Sequence, residues 1–109
     1  MDGLLIKPIW LNRYYSGEKT LEVRSSNTKK RGTIALIECK SGLITGVCNL
    51  VDSYRLKQDR FLKEHHLHLV DKTWYKKTYG WVFEDVTKLD KPIPYYHPPG
   101  AVIWVKDVL

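Results

Sequence analysis

Apolar and polar positions change their period several times along the chain, and each change marks an element. Leu4, Leu5 and Ile6 form a short apolar run closed by Lys7-Pro8, which reads as a first strand. Pro8 then suits the first turn of a helix, where its missing N–H is no loss. From Ile9 to Ser16 the residues Ile9, Trp10, Leu11, Tyr14 and Tyr15 recur near helical spacing, and Gly17 stands where a helix C-terminus would be capped. Over Thr20–Arg24 the period drops to two, Leu21 and Val23 alternating with Thr20, Glu22 and Arg24, so a strand with one polar face is predicted. Ser25 to Gly32 is polar, basic and ends in glycine, a loop.

Thr33–Cys39 and Leu43–Leu50 are rich in β-branched residues and predict two strands joined through Lys40-Ser41-Gly42. If Ser41-Gly42 is a two-residue turn, Cys39 faces Ile44 and Cys48 faces Ala35, so the two cysteines would not be bonded to each other. From Lys57 to Leu69 the alternation is lost and Phe61, Leu62, His65 and Leu69 fall on one side of a second amphipathic helix. Asp71–Lys77 adds a helical turn with Asp71 as its N-cap. Tyr79–Val86 is a strand, Lys91–Pro94 and Pro98–Gly100 are turns, and Ala101–Val105 is the closing strand. Five or six short strands with two or three helices, in a chain of 109 residues without an internal repeat, predict a single α+β domain over residues 1–109, a small β-barrel with helices at its mouth.

Composition adds charge to this picture. With 43% hydrophobic and 28% charged residues the chain is an ordinary globular protein, but its net charge is +6, which favours polyanionic partners, nucleic acid before acidic membrane. No window approaches the ~20 apolar residues of a membrane span, and the start MDGLLIKPIW lacks the basic-then-apolar pattern of a signal peptide. Free thiols and a cytoplasmic location are expected.

The polar face of Thr20–Arg24 carries the candidate chemistry. Lys19 follows the first helix, and Glu22 and Arg24 project from one strand face, so a cation, a carboxylate and a guanidinium can converge on one ligand. Arg24 would fork onto a phosphate or carbonyl, and Glu22 would accept from an exocyclic amine. The alternative is a surface ion pair of Glu22 with Arg24 or Lys19. Trp10 and Tyr14, on the helix beside Lys19, are candidate stacking surfaces for bases; Trp74 is a further aromatic, while Trp81 and Trp104 are expected in the core. The basic loop residues Lys29, Lys30 and Arg31 can contact phosphates. His65 and His68 could share a helical face, but no carboxylate or cysteine completes a coordination set beside them, so neither a metal nor a cofactor is implied, and His65 is expected to serve helix packing.

These segments also resemble a known family. Lys7-Pro8-Ile9-Trp10, then Ser16-Gly17-Glu18-Lys19-Thr20-Leu21-Glu22-Val23-Arg24, then Lys30-Arg31-Gly32, and further on Tyr79–Val86 with Leu89 and Lys91–Pro94, resemble the ASCH (activating signal cointegrator homology) domain over about Leu5 to Val105. The resemblance implies a PUA-like β-barrel whose cleft binds RNA or a modified nucleobase. Some members of the family hydrolyse N4-acetylcytidine and others are ribonucleases. In the amidohydrolase type it implies the lysine that Lys19 matches, a threonine three residues later where this chain has Glu22, and a downstream acid for which Glu64 is the candidate. In a hydrolase built from the residues present, Glu22 would activate water while Lys19 stabilises the oxyanion. Three readings stay open from sequence: an RNA or modified-nucleobase binder, a small metal-independent hydrolase of an acylated nucleoside or RNA phosphodiester, and a peptide-binding module. The oligomeric state is open too.

Overall fold

Hydrogen-bonding demand explains the architecture: short strands must all find partners, and here they do so in one sheet. The computed structural model describes residues 1–109 except Trp74, so the stacking role considered for that tryptophan lies outside the described residues. The elements are β1 (Gly3–Ile6), α1 (Pro8–Tyr15), β2 (Leu21–Arg24), β3 (Gly32–Glu38), β4 (Leu43–Arg55), α2 (Gln58–Lys63), α3 (His65–His68), β5 (Tyr79–Pro94) and β6 (Trp104–Val105). The six strands form a single curled sheet in the order β2-β5-β4-β3-β1-β6. Among the described residues only β1 and β3 run parallel. The strand and helix counts agree with the small α+β barrel predicted from sequence.

The spine is the antiparallel pair β4 and β5, both longer than the alternation suggested. β4 continues past Leu50 to Arg55 and β5 past Val86 to Pro94, with register shifts between Ile44 and Gly46, Val47 and Asn49, and Leu50 and Asp52. Such shifts increase local twist and let a long pair coil. Gly46 sits at one of them because nothing larger fits: an added Cβ would lie 2.5 Å from the Tyr15 hydroxyl and 2.7 Å from the Thr87 carbonyl oxygen. Pro92 and Pro94, which predicted a turn, lie in β5 instead. Beyond Val82 no strand among the described residues pairs with the other edge of β5, so the missing proline N–H groups break no ladder there.

Further expectations are corrected. Glu38 pairs with Leu43 and Cys48 faces Ile34, so the connection is a four-residue loop; Lys40 (φ 65°) and Gly42 (φ 71°) turn left-handed and Ser41 Oγ donates to Glu38 O at 2.7 Å. Cys39 and Cys48 are free thiols, as predicted, and burial pushes the Cys48 thiol up to about 12. The single helix expected over Lys57–Leu69 breaks at Glu64 into α2 and α3, and the chain leaves α3 through left-handed Leu69 (φ 61°). Its buried face is Phe61 and His68; Leu62 is exposed, and so is His65. No described residue of Asp71–Lys77 is helical, and Asp71 accepts from His65 Nε2 rather than capping. The closing strand shortens to two residues.

β3 shows where the cores sit. Ile34 and Leu36 point to the cluster inside the curl, with Leu4, Ile6, Leu11, Tyr14, Trp81 and Phe83, while Ala35 and Ile37 point to a second cluster on the other face with Leu5, Ile44 and Val105. A third cluster, built on Leu21, Leu56 and Phe61, fixes α2 to β2. Trp81 is thus a core residue as expected, and it stacks on half-buried Trp104 with ring centroids 5.8 Å apart.

Candidate nucleobase site

The turn that ends α1 sets up the site. Gly17 adopts φ 84°, its N–H bonding to Tyr14 O at 3.1 Å, and Lys19 N donates to Arg13 O at 3.1 Å, so the chain doubles back and Lys19 enters the protein instead of solvent. Lys19 is only 1% exposed. Its Nζ donates to the carbonyl of His68 and stands 4.6 Å from the Trp10 ring centroid and 5.4 Å from that of Tyr14. Burial lowers the Lys19 amine to about 8, a depression that the nearby Glu22 charge partly offsets.

Two residues on, the strand alternation of β2 turns Glu22 into the protein, where it is 5% exposed. Its Oε1 accepts from the Tyr14 hydroxyl at 2.6 Å and its Oε2 from Arg24 Nε at 2.7 Å. Tyr14, which sequence suggested as a stacking surface, is instead buried to 2% exposure and clamps the carboxylate; burial first, then the Glu22 charge, raises its phenol well above the ordinary value. Arg24 spends a second donor, Nη2, on Leu5 O at 2.9 Å, and its guanidinium lies 5.6 Å from the Trp81 ring.

Glu22 and Arg24 open onto a recess of about 260 Å³ that they line with Trp10, Lys7, Cys39 and Tyr75. Lys19 lines a different cavity, of about 490 Å³, with Tyr15, Thr20 and Phe83. Of the two ion pairs considered for Glu22, the one with Arg24 is formed, while the Lys19 amine goes to a backbone carbonyl. Trp10 lines the recess of Glu22, and its ring also faces the Lys19 amine, although it does not line the cavity of Lys19. Thr20 is exposed and contributes its backbone, N–H to Leu67 O and carbonyl to Phe83 N–H.

No family model and no curated protein matches the chain. Solved structures do. The ASCH protein of Zymomonas mobilis superposes with a TM-score of 0.76 at 13% identity, over 97% of this chain and 87% of that one. A serine-to-alanine variant of the same protein gives 0.76 at 14% identity over 97% and 88%, and a tyrosine-to-phenylalanine variant gives 0.75 at 13% over 97% and 90%. The chain has the ASCH fold.

Within that ASCH fold the basic loop is largely committed to its own protein. Lys30 pairs with Asp2 at 2.5 Å and lies 4.9 Å from the Trp104 ring, and Arg31 reaches Ser53 Oγ at 3.0 Å and Asp52 at 3.9 Å. Lys29 is exposed and forms no ion pair with a described residue. Glu64 is turned to Tyr54 (2.5 Å) and Arg60 (2.7 Å), and does not line the recess of Glu22. Among the described residues no three His, Cys, Asp or Glu side chains gather as a metal set, and no helix is long and apolar enough to cross a membrane.

Sequence reasoning weighed His68 only as a metal ligand and passed over Tyr75. His68 is fully buried; its Nε2–H donates to Phe61 O at 2.8 Å while Nδ1 accepts from Val70 N–H at 2.9 Å, which fixes the neutral tautomer, and burial lowers its pKa. Tyr75 comes to the recess from the stretch after α3, a placement set by tertiary structure with no local signal.

Proposed function

We propose that the protein binds RNA or a modified nucleobase by taking one unpaired base into the recess of Trp10, Glu22 and Arg24. The observation that carries this reading is a hydrogen-bonded pair of buried Glu22 and half-buried Arg24 lining a small concavity with an indole on its wall. Of the five guanidinium donors of Arg24, two are engaged by Glu22 and Leu5, so three remain for a base carbonyl or phosphate. A carboxylate offers about four acceptor positions and Glu22 uses two, leaving two for an exocyclic amine. Single-base recognition of this kind is how proteins read unpaired RNA. A recess of about 260 Å³ suits a base better than a larger ligand.

The test is a titration of cytidine, N4-acetylcytidine and a short single-stranded RNA, followed by a structure soaked with the two nucleosides. The expected result is a base against Trp10 with polar edges on Glu22 and Arg24, and an affinity loss of ~1–3 kcal/mol on Trp10→Ala. A nucleoside bound elsewhere, or none bound, removes the reading.

A second reading, hydrolysis of an acylated nucleoside or an RNA phosphodiester, draws support from the Lys19 amine held near 8, in the range useful for proton transfer. It requires a substrate that reaches both Lys19 and Glu22 although they line separate cavities. Release of acetate from N4-acetylcytidine, lost in both Lys19→Ala and Glu22→Gln while the fold holds, would establish it.

A further inference from the structure

Five of the eighteen lysines and arginines are tied in ion pairs among the described residues: Arg13, Arg24, Lys30, Arg31 and Arg60. Arg55, Lys57 and Lys76, none of them ion-paired with a described residue, line one cavity of about 480 Å³ beside α2, and Lys72 lines it too. The acid on its wall is Asp71, whose carboxylate is turned to His65 Nε2 at 3.0 Å. The floor is apolar, formed by Leu56 and Phe61 of the third core cluster, so the cations stand on a rigid base.

This cavity and the base recess share Tyr75, which also lines a small hollow of about 200 Å³ that takes Trp10 and Val23 from the recess and Lys72 and Thr73 from the cavity. At 46% exposure its ring stands at the junction of an aromatic, carboxylate-bearing pocket and a cationic trough. An unpaired base inserted beside Trp10 would therefore lead its own backbone past Tyr75 and onto Arg55, Lys57 and Lys76.

We infer that this track is a path for the ribose-phosphate backbone of single-stranded RNA, with the nucleotides flanking the inserted base held by their phosphates in the trough beside α2. The inference deepens the base-recess reading and rests on it. A single strand is favoured over a duplex, in which the inserted base would first have to be unpaired and unstacked. Phosphate contacts of this kind position a strand without reading its sequence, so the trough supplies affinity and the recess supplies choice of base.

The experiment compares the intact protein with the triple variant Arg55→Gln/Lys57→Gln/Lys76→Gln, all at exposed positions outside the base recess. A labelled single-stranded oligoribonucleotide is titrated by fluorescence anisotropy between about 50 and 200 mM salt. Cytidine binding is measured by calorimetry in parallel, with polyglutamate as competitor. The expected result is RNA affinity lower by on the order of tenfold or more at low salt, a log–log salt slope shallower by about 2 (roughly 0.7 for each of three phosphates), and unchanged cytidine affinity. Unchanged RNA affinity and slope in the triple variant would overturn the trough while leaving the recess standing. So would absence of RNA binding by the intact protein, or competition by polyglutamate as effective as by RNA. Loss of cytidine binding to the intact protein would instead remove the recess on which the path depends.

Discussion

At the scale of single residues, the chain places a lysine where lysines seldom sit. The strand pattern over Thr20–Arg24 exposed Glu22 and Arg24 as a pair to sequence reasoning, because both lie on one face of a period-two element. Lys19 could be singled out but not located, since its burial depends on the left-handed turn at Gly17 and on a carbonyl from α3, far away in sequence. Its depressed amine has a consequence for stability. Unfolded, Lys19 titrates near its ordinary 10.5; folded, it titrates at about 8, so between these values the unfolded chain binds more protons and stability rises with pH. Below about pH 8 both states are protonated and the full cost of burying the cation is present. From pH 8 to about 9.5, before tyrosines titrate, this residue is expected to return about 2 kcal/mol. Urea unfolding of the wild type and Lys19→Met across that range checks this: the wild type should gain stability relative to the variant, and parallel profiles would contradict it.

Elements made of good local patterns were legible, and those whose limits are tertiary were not. β1, α1, β2 and β3 lie within a residue or two of where alternation, Pro8 and Gly17 placed them. The extension of β5 was hidden because Pro92 and Pro94 signal turns in isolation, and only the free edge beyond Val82 makes them compatible with a strand. The break at Glu64 was hidden because the helical spacing of Phe61 and His65 continues through it, whereas the chain turns there with Glu64 bonded to Tyr54 and Arg60. Closure of the curl was equally invisible. β2 and β1 are not neighbours in the hydrogen-bonded order, yet Arg24 of β2 donates to Leu5 O of β1 while holding Glu22. The planar guanidinium reaches the two acceptors from two different nitrogens, Nε and Nη2, whereas the three donors of a lysine all radiate from one nitrogen and lack that spread. Arg24→Lys is therefore expected to cost about 2 kcal/mol in urea unfolding, the worth of one charge-assisted bond to a buried carbonyl, and to speed amide exchange in β2 more than in β4. Equal exchange in both strands would mean that the seam does not hold the sheet.

At the scale of the whole molecule, the three apolar clusters share one sheet and have no independent support. β3 contributes alternate residues to two of them, and β2 and β5 connect the interior to the third. The radius of gyration, 13.5 Å, is close to the ~13 Å expected for one domain of this length. Charge is arranged over that unit asymmetrically: in the basic loop before β3, Lys30 and Arg31 are paired with Asp2 and Asp52, while Arg55, Lys57 and Lys76 beside α2 are exposed, which a net charge alone could not disclose. A sheet in which one strand feeds both faces is not expected to lose one cluster and keep the other, because β3 joins β1 to β4 and supplies buried residues to both clusters. Unfolding is thus expected to be a single transition in which near-ultraviolet signals from Trp81, inside the curl, coincide with far-ultraviolet signals from the sheet. Leu36→Ala, at a fully buried site of the interior cluster, should lower stability by roughly 2–5 kcal/mol and move both signals to the same new midpoint. Two separated midpoints in that variant would show that the outer cluster, around Ile37 and Val105, stands without the inner one, and the chain would then fold as two units instead of one.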